Sequence, residues 1–173
     1  MKIDNLADDT HYTLADLRYL MSRLRDSETG CPWDIKQNFN SIISCTLEEV
    51  YEVVDAIETE DPEQLKEELG DLLFQIIFYS QLGQEQNLFD FDDIISLITT
   101  KLLRRHPHVF PLGTLTSVRD TKEAVNADTI NQSWEAIKQQ ERTKKGASQI
   151  FDDIPLALPA LTRAVKLQKR AST

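Results

Sequence analysis

Two acidic runs, Glu48-Glu49-Val50-Tyr51-Glu52 and Glu68-Leu69-Gly70-Asp71, stand on either side of a break at Thr59-Glu60-Asp61-Pro62. Asp61 suits a helix N-cap, Pro62 a first helical position and Gln64 the third residue of a capping box. The pattern predicts an antiparallel helical hairpin, with helices over 39–58 and 62–83. Counted from residue 60, Glu52 lies eight residues back and Glu68 eight forward, while Glu49 and Asp71 each lie eleven away. At a rise of 1.5 Å per residue both pairs fall at matching heights, roughly 12 Å and 16 Å from the turn. Four carboxylates then face one another across two helices, and neither run contains a Lys or Arg.

Such an arrangement needs neutralising. Two like charges about 4 Å apart repel by about 4 kcal/mol at an effective dielectric of about 20. An all-oxygen donor set without Cys or His suits a hard divalent cation, Mg²⁺ or Mn²⁺ rather than zinc. The competing reading is a solvated acidic helix face. The symmetry of the acids about the turn, and the apolar stripe Ile43, Leu47, Val50, Val54 and Ile57 that borders them, weigh against it.

At 173 residues the chain has the length of one domain, and 40% apolar with 28% charged residues is the mixture of a folded helical protein. Its net charge of -10 argues against duplex nucleic acid as a partner, because phosphate binding rests on clustered Lys and Arg. Free nucleotides remain compatible, since a cation can carry the local positive charge. No signal-peptide core or membrane-length apolar run is visible, which predicts a cytoplasmic protein with no membrane partner. Cys31 and Cys45 have no metal-ligand spacing and read as reduced thiols.

Along the chain, Thr13 with Asp16 predicts a capped first helix over 14–28, and Cys31-Pro32-Trp33-Asp34 a loop. Leu65, Leu69, Leu72, Ile76 and Tyr79 form the expected core face of the second hairpin helix, and Gly83 its C-terminal stop. Asp90 can cap a helix ending at Arg104-Arg105-His106, whose cations suit the helix dipole. Residues 107–128 read as a mobile loop with the character of a lid. Asp128 can cap a helix through Ile130, Trp134 and Ile137 that dissolves into the polar run 139–146, and a basic helix closes the chain.

In order and spacing, five motifs resemble the MazG nucleoside triphosphate pyrophosphohydrolases. They are Cys31-Pro32-Trp33-Asp34 with Lys36-Gln37; the paired acids; Lys101 to Phe110; Trp134-Glu135-x-Ile137-Lys138; and Pro159-Ala160-Leu161 through Arg170. The likeness spans about residues 13–171, leaving 1–12 as an N-terminal extension. It implies an all-α fold, a four-helix MazG-like bundle containing the acidic hairpin, assembled as a homodimer. It also implies Mg²⁺-dependent hydrolysis of NTPs or dNTPs to the monophosphate and pyrophosphate. Carried over by position, the metal ligands are Glu49, Glu52, Glu68 and Asp71, and the catalytic carboxylates are Glu48, Glu49 and Glu52. Glu48 would hold a second ion, orient the attacking water, or act as an outer acceptor. Lys36, Arg104 and Arg105 are the candidate phosphate-holding cations, and Trp33 the candidate base-stacking ring. His106, His108 and Trp134 read as structural. Two departures stand out: Pro111-Leu112-Gly113-Thr114 replaces the family's usual Gly-Asp after His-Val-Phe, and the chain stops where long members continue into a second such domain. That predicts the N-terminal half of a two-domain protein, and admits a nucleotide-binding, dimerisation or regulatory module of low activity as the alternative function. A di-iron carboxylate bundle would need Glu-x-x-His pairs, and the sequence has none.

Overall fold

The computed structural model describes residues 11–120, 126–144, 151–152 and 154–172. Among the described residues there are seven α-helices and no strand: α1 Leu14–Leu24, α2 Pro32–Lys36, α3 Ile43–Glu58, α4 Pro62–Glu85, α5 Phe91–Arg105, α6 Ala127–Lys144 and α7 Ala160–Ala171. The protein is all-α, as expected. It divides within α5 into two compact units, up to Leu97 and from Ile98 onward.

In the first unit α1 opens with the expected capping box: Asp16 N donates to Thr13 Oγ1 and Thr13 N to Asp16 Oδ2. It ends four residues earlier than its pattern suggests. Asp26 Oδ1 accepts from the backbone of Glu28 and Thr29 and from the Thr29 hydroxyl, a local turn that competes with further helix. The expected loop at Cys31-Pro32-Trp33-Asp34 contains a short helix, α2, with Pro32 at its first turn, where a missing N–H costs nothing. The hairpin begins later than 39, because Asn38 and Ser41 bind each other's backbone N–H groups and hold a turn up to Ile42.

Helices α3 and α4 pack together, joined through Thr59, Glu60 at φ 55° and Asp61. Asp61 caps α4 by accepting from Glu63 N and Gln64 N. Gln64 does not complete a reciprocal box; its side chain turns forward, with Nε2 3.5 Å from Glu68 Oε1. Nor does α4 stop at Gly83. Gly83 lies buried inside the helix, where an added Cβ would stand 2.7 Å from Phe89. The glycine permits a close approach instead of ending the helix.

The core of this unit is Met21, Ile42, Ile77, Phe78, Leu82 and Phe91, with Leu17, Phe39, Phe74 and Tyr79 against it. Leu69 and Ile76, expected inside, are 50% and 41% exposed. Helix α4 packs on both α3 and α1, and Ile77, Phe78 and Leu82 are its buried apolar residues. On α3 the stripe Ile43, Leu47, Val50, Tyr51, Val54 and Ile57 is likewise 41% to 63% exposed.

In the second unit α5 ends at Arg105, and His106 Nδ1 donates to Leu102 O at 2.7 Å. Turns follow, with Gly113 at φ 66° donating to Phe110 O and a buried Ser117 donating to Thr114 O. Helix α6 starts at Ala127 and continues unbroken to Lys144, through the polar stretch expected to dissolve. Gln, Glu, Arg and Lys are good helix formers, and Glu141 is anchored by two arginines of α5. Helix α7 confirms the closing basic helix. Residues 1–10, 121–125 and 145–150, parts of the expected extension, loop and polar run, lie outside the described residues.

Candidate functional site

The hairpin brings carboxylates from both of its helices together. One oxygen each of Glu49, Glu68 and Asp71 lie within 4.8 Å of one another. Glu49 and Glu68 are half-buried and Asp71 is exposed. Glu52 is not one of this trio. It lies just under one turn along α3 from Glu49 and is exposed. Its charge is still felt. The Glu49 carboxyl is held above the usual range, first by loss of solvation and then by the charges of Asp71, Glu52, Glu68 and Glu48. Among the described residues no Lys or Arg forms an ion pair with any of these five acids. A cluster of oxygen donors gathered from two helices, with no ion-paired cation among the described residues, fits a hard divalent ion.

Of the expected substrate residues, Trp33 and Lys36 lie on α2 in the first unit, both exposed, with Trp33 at 56%. Arg104 and Arg105 close α5 in the second unit and both bind Glu141. His106 packs its ring 5.6 Å from that of His108 and 5.7 Å from that of Trp134, and Lys138 Nζ stands 4.9 Å above the Trp134 ring.

Residues 37–110, which contain the whole hairpin, match the family described as MazG nucleotide pyrophosphohydrolase domain. Over 153 residues the chain is 51% identical to the nucleoside triphosphate pyrophosphohydrolase of Escherichia coli, an alignment covering 88% of this chain and 55% of that protein. The chain belongs to the MazG family. It is also 39% identical over 157 residues to the nucleoside triphosphate pyrophosphohydrolase/pyrophosphatase MazG of Thermotoga maritima, covering 91% of this chain and 56% of that one. A crystal structure of a mazG-related protein from Thermotoga maritima shares the fold at a TM-score of 0.58 and 23% identity, covering 73% of this chain and 99% of that one. The MazG chain thus spans about half the length of the curated relatives it matches.

Two residues of this MazG chain escaped the sequence reading. Arg25, at the end of α1, is nearly buried and acts as a clamp. Its Nε and Nη2 bind the two oxygens of Glu85 at 2.8 Å and 2.7 Å, its Nη1 donates to the carbonyls of Asp34 and Gln37, and its guanidinium lies 5.4 Å from the Phe78 ring centre. The fork ties α2, and with it Trp33 and Lys36, to the C-terminal end of α4. It also holds the Glu85 carboxyl below its usual range. The second is Glu141, hidden in a polar stretch with no apolar period to mark it.

Proposed function

We propose that this MazG chain hydrolyses nucleoside triphosphates, NTP or dNTP, to the nucleoside monophosphate and pyrophosphate. The observation that carries the reading is the convergence of Glu49, Glu68 and Asp71 within 4.8 Å across the α3–α4 hairpin. Relatives named nucleoside triphosphate pyrophosphohydrolase support it.

In this reading Glu49, Glu52, Glu68 and Asp71 hold Mg²⁺, with Mn²⁺ as the substitute, and the ion supplies charge neutralisation at the reacting phosphate. Glu48 and Glu52, exposed on α3 beside the trio, are the carboxylates available to orient water. The water oxygen bonds to the α-phosphorus and passes a proton to the carboxylate that orients it, the α,β bridging P–O bond breaks, and pyrophosphate leaves with the electron pair. Phosphoryl transfer of this kind depends chiefly on positioning and charge compensation, which carboxylates alone would oppose. Lys36, Arg104 and Arg105 supply positive charge for the triphosphate, and the exposed Trp33 ring offers a face on which a base can stack. The exposed apolar stripes of α3 and α4 fit a homodimer, and a cytoplasmic location belongs to the same reading; among the described residues no helix is long and apolar enough to cross a membrane.

Because the chain spans 55% of its Escherichia coli relative, a second reading keeps the acids but gives this domain a nucleotide-binding or regulatory role with little turnover. Phosphorus NMR of products separates the two. The proposal predicts a monophosphate and pyrophosphate from ATP or dATP with Mg²⁺; a diphosphate with orthophosphate, or intact substrate, would contradict it.

A further inference from the structure

Glu141 grips both guanidiniums at the end of α5 by their sides. Its Oε1 accepts from Arg104 Nε at 2.9 Å, Arg104 Nη2 at 2.5 Å and Arg105 Nε at 3.3 Å, and its Oε2 accepts from Arg105 Nη2 at 2.5 Å. The Glu141 side chain is 15% exposed and that of Arg105 19%, while Arg104 reaches solvent at 52%. Hydrogen bonds from the two arginines hold the carboxyl ionised, at a pKa of about 2.

This geometry occupies one edge of each arginine and leaves another. The Nε and Nη2 edges face Glu141, whereas among the described residues no hydrogen bond engages Nη1 of either side chain. One carboxylate cannot cancel two guanidiniums, so the pair keeps a net positive charge. Without the carboxylate between them, two adjacent like charges at a helix end would separate, and each long side chain would regain its rotamer freedom.

We infer that Glu141 is a positioning residue that holds Arg104 and Arg105 side by side, their free Nη1 donors presented to phosphate oxygens of the triphosphate. The inference rests on the proposed function, in which these arginines bind phosphate. Arginine's planar donors match phosphate geometry, and fixing two of them in advance lowers the ordering cost of binding. The contribution is to substrate affinity: the arginines hold phosphates in ground state and transition state alike, so its loss raises KM and spares kcat.

The test is steady-state pyrophosphate release by Glu141→Gln, which keeps the side-chain volume and removes the charge, beside Arg104→Gln and Arg105→Gln. Glu141→Gln is expected to raise KM for the triphosphate about tenfold with kcat within about twofold, and to add little in an Arg105→Gln background, since residues acting as one unit are not additive. Glu141→Asp, which keeps the charge on a shorter arm, should fall between, and it serves alone if the Gln variant fails to fold. Calorimetric binding of inorganic triphosphate should weaken in parallel. If the arginine variants raise KM and the Glu141 variants do not, positioning is wrong while the phosphate reading stands. If neither changes KM, the phosphate role of the arginines fails as well. A lowered KM in Glu141→Gln would make the carboxylate a competitor of phosphate, and a lower kcat at unchanged KM would make it a structural tie; either overturns the inference.

Discussion

Glu49 is the residue on which the acidic site turns, because burial and four neighbouring carboxylates all oppose its charge. Glu49→Gln should therefore leave the cation-free protein as stable as the native chain or more so, while abolishing the rise in melting temperature that Mg²⁺ gives by binding only the folded state. A variant that loses stability without Mg²⁺ and still responds to it would break the link between repulsion and metal. Arg25 should behave in the opposite way. Removing a nearly buried guanidinium strands the Glu85 carboxylate and the carbonyls of Asp34 and Gln37, so Arg25→Gln should cost about 3 kcal/mol in denaturant unfolding. Glu141 sets an acid limit. Its folded pKa of about 2 lies below the unfolded value of 4.5, so the unfolded chain takes up the proton first. The stability it contributes is present above about pH 4.5 and is lost as pH falls from there toward 2. The melting temperatures of native protein and Glu141→Gln should differ most near neutrality and converge across that window; a constant gap would contradict the assignment.

At the scale of elements, two glycines of α4 should respond oppositely to alanine. At Gly70 a methyl meets nothing within 4 Å, and the better helix propensity should stabilise the chain by up to about 1 kcal/mol. At Gly83 the same methyl would stand 2.7 Å from Phe89, and Gly83→Ala should destabilise by about 1–3 kcal/mol, read from the same unfolding curves. This pair also marks what the sequence can and cannot reveal. The hairpin, the caps at Asp61 and Asp90 and the box at Thr13 are written locally, in residues three apart, and could be read directly. Three of the four facing acids could be placed for the same reason, since helix rise and a short turn fix their heights. Gly83 looked like a stop because its partner, Phe89, returns over it from beyond the helix end. Arg25 and Glu85 are 60 residues apart, and Glu141 lies 37 from Arg104; no local period records such pairs. The early end of α1 and the late start of α3 came from Asp26, Asn38 and Ser41, whose side chains bind nearby backbone in turns.

For the whole molecule, the exposed apolar stripes of α3 and α4 leave more surface than the first unit's own helices cover. A second copy of the chain is the expected cover, and light scattering should give twice the 19.8 kDa chain mass at micromolar concentration. A dispersed monomer would remove the homodimer and any site that needs it. More narrowly, we propose that the acids of one hairpin, with no ion-paired Lys or Arg among the described residues, make a divalent ion the requirement for breaking the α,β bond of a nucleoside triphosphate. It is tested most directly by the rate of pyrophosphate release as Mg²⁺ is titrated, for the native chain beside Glu49→Gln. No release is expected without the ion, with a saturating rise in the native chain as it is added and no rise in the variant. Release from the native chain that is independent of Mg²⁺, or a variant that follows the same curve, would contradict it.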